Sequence, residues 1–155
     1  MTKPKAQFVD FDNARYEDQA LVMAESEAAG VCPFCPESLG KYHHSPIEWE
    51  GSHWVVTKNG WPYVNTRVHL LAILKEHQES VDQLSDAAAA ELFTALKWAI
   101  KEYQIPGGGL VVRFGDTNYS AGSVNHLHAH IIQPDITAPG YADQPVKVKI
   151  GKYKK

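Results

Sequence analysis

The stretch Val124-Asn125-His126-Leu127-His128-Ala129-His130-Ile131-Ile132 alternates histidine with apolar residues, and the fold turns on how it is read. A strand points successive side chains to opposite faces, so residues at i, i+2 and i+4 share one face. The spacing predicts a strand over Val124 to Ile132 with His126, His128 and His130 on one face, about 7 Å apart. Leu127, Ala129 and Ile131 then fill the core behind them. Two chemistries suit three imidazoles in register. They could hold a catalytic metal as three ligands with an open fourth position, or one could be a nucleophile with its neighbours as proton donors. The flanks favour the second. Ser123 sits at the mouth of the strand, Arg113 and the Gly115-to-Gly122 loop precede it, and no carboxylate adjoins it before Asp135. Backbone-rich loops of this kind hold anions well.

Working outward, Val68 to Leu74 is apolar apart from His69 and predicts a central strand. Further strands are expected over Leu110 to Phe114, Tyr42 to Glu50 and His53 to Lys58, the last two joined by a turn at Glu50-Gly51-Ser52. Tyr16 to Ala29 reads as a helix stopped by Gly30, and Glu76 to Gln83 also has a helical pattern. Ser85 is an N-cap for a long helix to Gln104, with Leu92, Leu96, Ala99, Ile100 and Tyr103 at helical spacing. Val31 to Pro36 reads as a turn and Asn59 to Arg67 as a loop. Helices and strands alternate without a strict βαβ rhythm, which predicts an α+β fold with a largely antiparallel sheet of about five strands and helices packed on it. The expected organisation is a lead-in at 1–14, one domain at 15–146 and a solvated lysine-rich tail at 147–155, carrying Lys147, Lys149, Lys152, Lys154 and Lys155.

Composition narrows the function classes. The 155 residues are 44% hydrophobic and 21% charged, ordinary for a globular domain. A net charge of -3 argues against a nucleic-acid partner. No apolar run reaches the length of a membrane span, and Met1 to Asp12 lacks the apolar core of a signal peptide, so no membrane partner and a cytoplasmic location are expected. The only two cysteines, Cys32 and Cys35, form a single C-x-x-C, which could be a redox pair, half of a zinc site or two buried thiols. A thioredoxin-like βαβ context for redox chemistry is missing. His43 and His44 are expected at the surface, and Trp49, Trp54 and Trp98 in the core or an interface. Trp61, on the loop, could stack on a nucleobase.

Ser123 to Ile132 resembles the signature of the histidine-triad family, H-φ-H-φ-H-φ-φ, with its serine five residues before the middle histidine. Asn59, Pro62 and His69-Leu70-Leu71-Ala72-Ile73-Leu74-Lys75-Glu76-His77 resemble the family's upstream strand. The resemblance implies an enzyme in which His128 attacks the α-phosphorus of a nucleotide to form a covalent nucleotidyl-histidine. His130 assists the leaving group, Ser123 donates to the scissile region, and His126 orients the others. Substrate is contacted by Asn59, His69 and Arg113. A dinucleoside polyphosphate or nucleoside phosphoramidate is the implied substrate, with a phosphorylase or a nucleotide-binding module of vestigial activity as alternatives, and the implied assembly is a homodimer. The uridylyltransferase branch has a structural zinc whose ligands match Cys32, Cys35, His77 and His126. That branch carries Gln at the position of His130, which favours a hydrolase or phosphorylase here.

Overall fold

The computed structural model describes residues 8–152. Its centre is one five-stranded sheet, antiparallel throughout, in the order β1-β2-β3-β5-β4. The strands are β1 (Ile47–Glu50), β2 (Trp54–Lys58), β3 (Thr66–Leu74), β4 (Gly109–Val112) and β5 (His128–Pro134). Helices α1 (Glu17–Ala29), α2 (Pro36–Tyr42), α3 (Asp86–Glu102) and α4 (Thr117–Ser120) complete the fold. The expected α+β class and largely antiparallel sheet are what the chain forms.

The two-residue alternation along β3 and β5 divides the chemistry from the core. Val68, Leu70, Ala72 and Leu74, with Ala129 and Ile131, face α3, which presents Ala88, Leu92, Ala95 and Ala99 at helical spacing. The opposite face carries Leu71 and Ile73 beneath Leu39 of α2 and Phe34. The register pairs Leu71 with His130 and Ile73 with His128, so the histidines of β5 lie on the face turned away from α3. α3 is locked to the sheet by two polar devices. Trp54 Nε1 donates to the Ala88 carbonyl at 2.7 Å. The Glu91 carboxylate accepts from the backbone N–H groups of Ser52, His53 and Trp54 at 2.7–2.8 Å. A Cβ at Gly51 would lie 2.6 Å from Glu91 Cδ, so the β1–β2 turn needs glycine for that carboxylate to come in.

The local expectations hold where periodicity was strong. α1 ends on Gly30 in the left-handed region at φ 70°, and Ser85 caps α3 by accepting from Ala88 N–H. Four local readings are corrected. Residues 36–42 form α2, with Pro36 at its first position, so the strand expected from Tyr42 begins only at Ile47. The pattern over 76–83 gives a single 3-10 turn at Val81–Gln83, not a helix. The expected Gly115–Ser123 loop contains α4, capped by the Asp116 side chain. The histidine strand begins at His128, not Val124, because Leu127 N–H donates to Gln78 O and Asn125 N–H to Phe8 O.

The chain ends also depart from expectation. Val9 is buried and bridges Val124, and Asp10 N–H donates to Ser123 O, so residues 8–14 are tied to the segment leading into β5. Residues 147–152 are docked, with Lys152 Nζ 2.7 Å from Asp10 Oδ2 and Lys149 O accepting from Arg113. Residues 1–7 of the lead-in, and Lys154 and Lys155 of the tail, lie outside the described residues.

Candidate functional site

The β5 face opens into a cleft of about 430 Å³, walled by α1, the Pro33-Phe34 turn, the loop from Asn59 to Val64 and residues 144–149. His128 and His130 line it with His69 bonded behind His130, and their partners assign the protons of these three rings. The His126 main-chain carbonyl accepts from His128 Nδ1–H at 2.7 Å, which leaves Nε2 of His128 with its lone pair. Tyr63 N–H donates to His69 Nδ1 at 3.0 Å, so the His69 proton resides on Nε2 and is donated to His130 Nδ1 at 2.8 Å. The His130 proton is then on Nε2, 3.3 Å from Arg113 Nη1. Two donors that close are not bonded to each other; they converge on a place for an anion.

Burial holds these rings neutral. It lowers His128 to about 4, and it lowers His69 to about 3 with help from the Arg15 and Arg113 charges. His130 is pushed well below the ordinary range by burial and by His128 and His69. A neutral imidazole with a free Nε2 lone pair, bordering a cleft, has the attributes of a nucleophile across the physiological range.

His126 takes another direction. Its Nε2–H is donated to Leu74 O, which turns Nδ1 toward Cys32 Sγ at 3.4 Å, Cys35 Sγ at 3.7 Å and His77 Nδ1 at 3.2 Å. His77 Nε2 lies 3.4 Å from the Glu79 carboxylate, so its Nδ1 also presents a lone pair. Two facing lone pairs repel unless a cation or proton lies between them. Tetrahedral zinc bonds of about 2.0–2.3 Å give ligand separations of this size. Cys32, Cys35, His77 and His126, with all four ligand atoms within 4.8 Å of one another, can therefore hold a metal. They are the only such cluster of three or more among the described residues. The reading of His126, His128 and His130 as a three-histidine metal site is thereby overturned, since the first ring faces the cysteines and the second spends Nδ1 on a carbonyl.

The other expected residues gather at the cleft in different ways. Asn59 accepts from Trp61 N–H at 2.9 Å, and its Nδ2 lies 3.1 Å from His69 Nε2; both nitrogens are donors, so Asn59 borders the relay without joining it. Arg113 donates to Tyr63 Oη at 3.0 Å and to Lys149 O. Ser123 and Trp61 line the cleft. His43, expected at the surface, is buried and also lines the cleft, with Nε2 2.9 Å from Thr57 Oγ1, while His44 is exposed. The sequence reading missed Tyr63, Phe34 and Arg15. The Tyr63 ring stacks on His130 at 5.8 Å and tilts against His69 at 4.5 Å. The Phe34 ring meets His128 edge-on at 5.0 Å. The Arg15 guanidinium lies 4.1 Å over the Tyr63 ring. The one signal for Phe34 was its position inside the C-x-x-C; Arg15 offered none, being a lone arginine before a helix.

These shifts set the acid stability. His69, His126 and His128 stay neutral in the fold down to about 3, 4 and 4, whereas unfolded histidine gains its proton near 6.5. Between those limits the unfolded chain binds more protons, so stability is full above pH 6.5 and is lost as pH falls toward 4. Each ring contributes about 1.4 kcal/mol per pH unit at most. Urea unfolding at pH 7, 6 and 5 should show a steep fall, and a flat profile contradicts the assignment.

A family model described as HIT domain matches residues 62–136, covering β3 to β5 and the triad. Among solved structures, a HIT family hydrolase from Clostridium thermocellum is 28% identical, with a TM-score of 0.53 over 70% of this chain and 94% of its own. A hypothetical histidine triad nucleotide-binding protein from Sulfolobus tokodaii is 25% identical, with a TM-score of 0.54 over 80% and 81%. A hypothetical protein from Leishmania major is 25% identical, with a TM-score of 0.59 over 82% and 84%. A search of curated proteins found no match. No helix among the described residues is long and apolar enough to cross a membrane. Signature, fold and family model agree: residues 62–136 match the HIT domain, and the chain has the fold of the HIT family hydrolase and the histidine triad nucleotide-binding protein it resembles.

Proposed function

We propose that the protein is a nucleotide hydrolase or nucleotidyl transferase that works through a covalent intermediate on His128. The observation that carries this reading is the His128 Nδ1–H bond to the His126 carbonyl, which leaves Nε2 as a free base. In the proposed reaction the Nε2 lone pair attacks a nucleotide α-phosphorus and forms an N–P bond. The bond from phosphorus to the leaving atom breaks, and its electron pair goes to the leaving group. His130 Nε2–H and Arg113 neutralise the charge that develops on the phosphoryl oxygens. Ser123 offers a hydroxyl on the leaving-group side. Water or another acceptor then attacks phosphorus, the N–P bond breaks, and its pair returns to Nε2. Substrates of the class proposed are dinucleoside polyphosphates and nucleoside phosphoramidates, and likeness to a HIT family hydrolase and a histidine triad nucleotide-binding protein supports it.

Incubation of the protein with diadenosine tetraphosphate, with and without inorganic phosphate, separates the acceptors. AMP plus ATP as products indicates a hydrolase. ADP plus ATP that forms only with phosphate indicates a phosphorylase. His128→Ala should lower kcat by about 10³-fold or more while nucleotide still binds. Retained turnover in that variant rejects the nucleophile.

For the four-ligand cluster we propose structural zinc. Burial, with the Cys32 thiol next in effect, pushes the Cys35 thiol up to about 12, so only a cation with a strong preference for thiolate releases that proton near neutral pH. Four protein ligands leave no open position, so the ion's chemistry would be to cross-link the Cys32–Cys35 turn, His77 and His126, two residues before β5. A reducing, cytoplasmic setting suits such thiols. Cys35→Ser should drop zinc below one ion per chain and lower Tm; unchanged metal content by atomic absorption rejects the site.

A homodimer paired through α3 and β4 completes the proposal. β4 is a sheet edge, and Phe93 and Ile100 of α3 are 60% and 41% exposed, about two turns apart on one helical stripe. Sedimentation should give a dimer that Phe93→Glu dissociates, and a monomeric native chain refutes it.

A further inference from the structure

Two neutral oxygens aim Arg113. Its Nε and Nη2 donate to the Lys149 main-chain carbonyl at 3.3 and 3.0 Å, and Nη2 also donates to Tyr63 Oη at 3.0 Å. Nη1 is left beside His130 Nε2 at 3.3 Å. None of the described ion pairs includes Arg113, so no carboxylate there shares its charge with an anion at the triad. The direction of the guanidinium is then only as fixed as its two acceptors.

The segment that carries the Lys149 carbonyl is pinned on either side of it. Upstream, Asn65 Nδ2 donates to the Gln144 carbonyl at 2.8 Å. Downstream, Gly151 turns the chain at φ 90°, in the left-handed region that glycine accepts, and Lys152 N–H donates to Asn118 O at 3.0 Å. The Lys152 ammonium reaches Asp10 Oδ2 at 2.7 Å, with Asp12 Oδ2 at 3.4 Å. The Lys152 and Asp10 side chains are only 23% and 11% exposed. A pair so shielded is screened much less than an exposed one. Asp10 is itself anchored, since its carboxylate accepts from Thr117 Oγ1 at 2.7 Å and its N–H donates to Ser123 O at 2.8 Å. One buried side chain thus ties the C-terminal segment to α4 and to the residues leading into β5. Asp10 and Lys152 stand 142 positions apart, and both lie outside residues 62–136 matched by the HIT domain.

We propose that the Asp10–Lys152 ion pair is a latch that positions the Arg113 guanidinium against the triad, acting through the Lys149 main-chain carbonyl. This inference rests on the reading of Arg113 as the group that neutralises charge on the phosphoryl oxygens. Asp10 and Lys152 do not line the cleft, so they are positioning residues. With the latch closed, the Lys149 carbonyl sits where Arg113 can donate to it, and Nη1 stays beside His130. With the latch open, that carbonyl loses its downstream anchor and the guanidinium loses the firmer of its two acceptors.

Lys152→Met and Asp10→Asn in the full chain test the latch, because they change the net charge in opposite directions. Charge acting through space on an anionic substrate gives the two variants opposite effects, whereas a broken latch gives them the same one. With diadenosine tetraphosphate as substrate, each should lower kcat about tenfold and move KM less than about twofold. Lys152→Arg, which keeps the charge, should recover most of the rate. In an Arg113→Lys background, Lys152→Met should add less than about a twofold loss. Heteronuclear NMR gives a readout that needs no turnover. The Arg113 Nε–H signal, identified by its absence from Arg113→Lys, should exchange with water at least about tenfold faster in Lys152→Met than in the native protein. Opposite effects on kcat, no effect, or equal protection of that N–H in the two proteins overturns the latch. Faster exchange in Lys152→Met, from a native protein that leaves the tetraphosphate intact, contradicts the nucleotide reading and upholds the latch.

Discussion

The bond from His128 Nδ1–H to the His126 carbonyl is the constraint from which the rest of the site follows. A buried imidazole has two tautomers, and only one leaves Nε2 able to attack. The carbonyl selects it without a charged partner, which matters because a nearby carboxylate would raise the ring's basicity and invite a proton. Holding the carbonyl in place requires that His126 stop short of the strand. Leu127 N–H is accordingly given to Gln78 and the ladder begins one residue later. His126 is thus held at both ends, by its ring in the cysteine cluster and by its carbonyl on the nucleophile. A metal on the first would steady the second, and with it the tautomer of the proposed nucleophile.

Around that bond the cleft divides its labour between burial and charge. Burial keeps His69, His128 and His130 neutral, as a nucleophile and a proton relay need. The same burial would leave a phosphoryl anion unwelcome, and in the proposed reaction Arg113 beside His130 offsets this. Tyr63 joins the two halves. Its N–H sets the His69 tautomer, its ring packs against two histidines, and its hydroxyl and face hold the two guanidiniums. The segment matched by the HIT domain carries the histidines, and the chain ends supply the outer wall of the cleft.

Much of this was legible in the sequence because it is periodic. The alternation in His126–Ile132 and the apolar run to Leu74 marked the two central strands, and Ser85 with its 3.6-residue pattern marked α3. What was not legible depends on partners distant in sequence. The strand expected over Tyr42–Glu50 starts too early, because Pro36 at the first helical position begins α2, which runs to Tyr42. His43 looked like half of a surface pair, yet its place at the end of α2 buries it against Thr57. Periodicity placed His126 on the triad face while the family resemblance placed it with Cys32, Cys35 and His77; the Gln78 and Leu74 carbonyls show how it leaves the strand and turns toward the cysteines. Arg15 carries no local pattern, and the lysine-rich stretch suggested a solvated tail, so the place of both at the cleft emerges only when the ends of the chain are brought together.

The most direct test of this account is mass analysis of protein quenched during turnover of a nucleotide substrate. A nucleotidyl adduct on one peptide, with the N–P bond on His128 and absent from His128→Ala, is the predicted result. An adduct on His130 or another residue, or none while product accumulates at the normal rate, would contradict it.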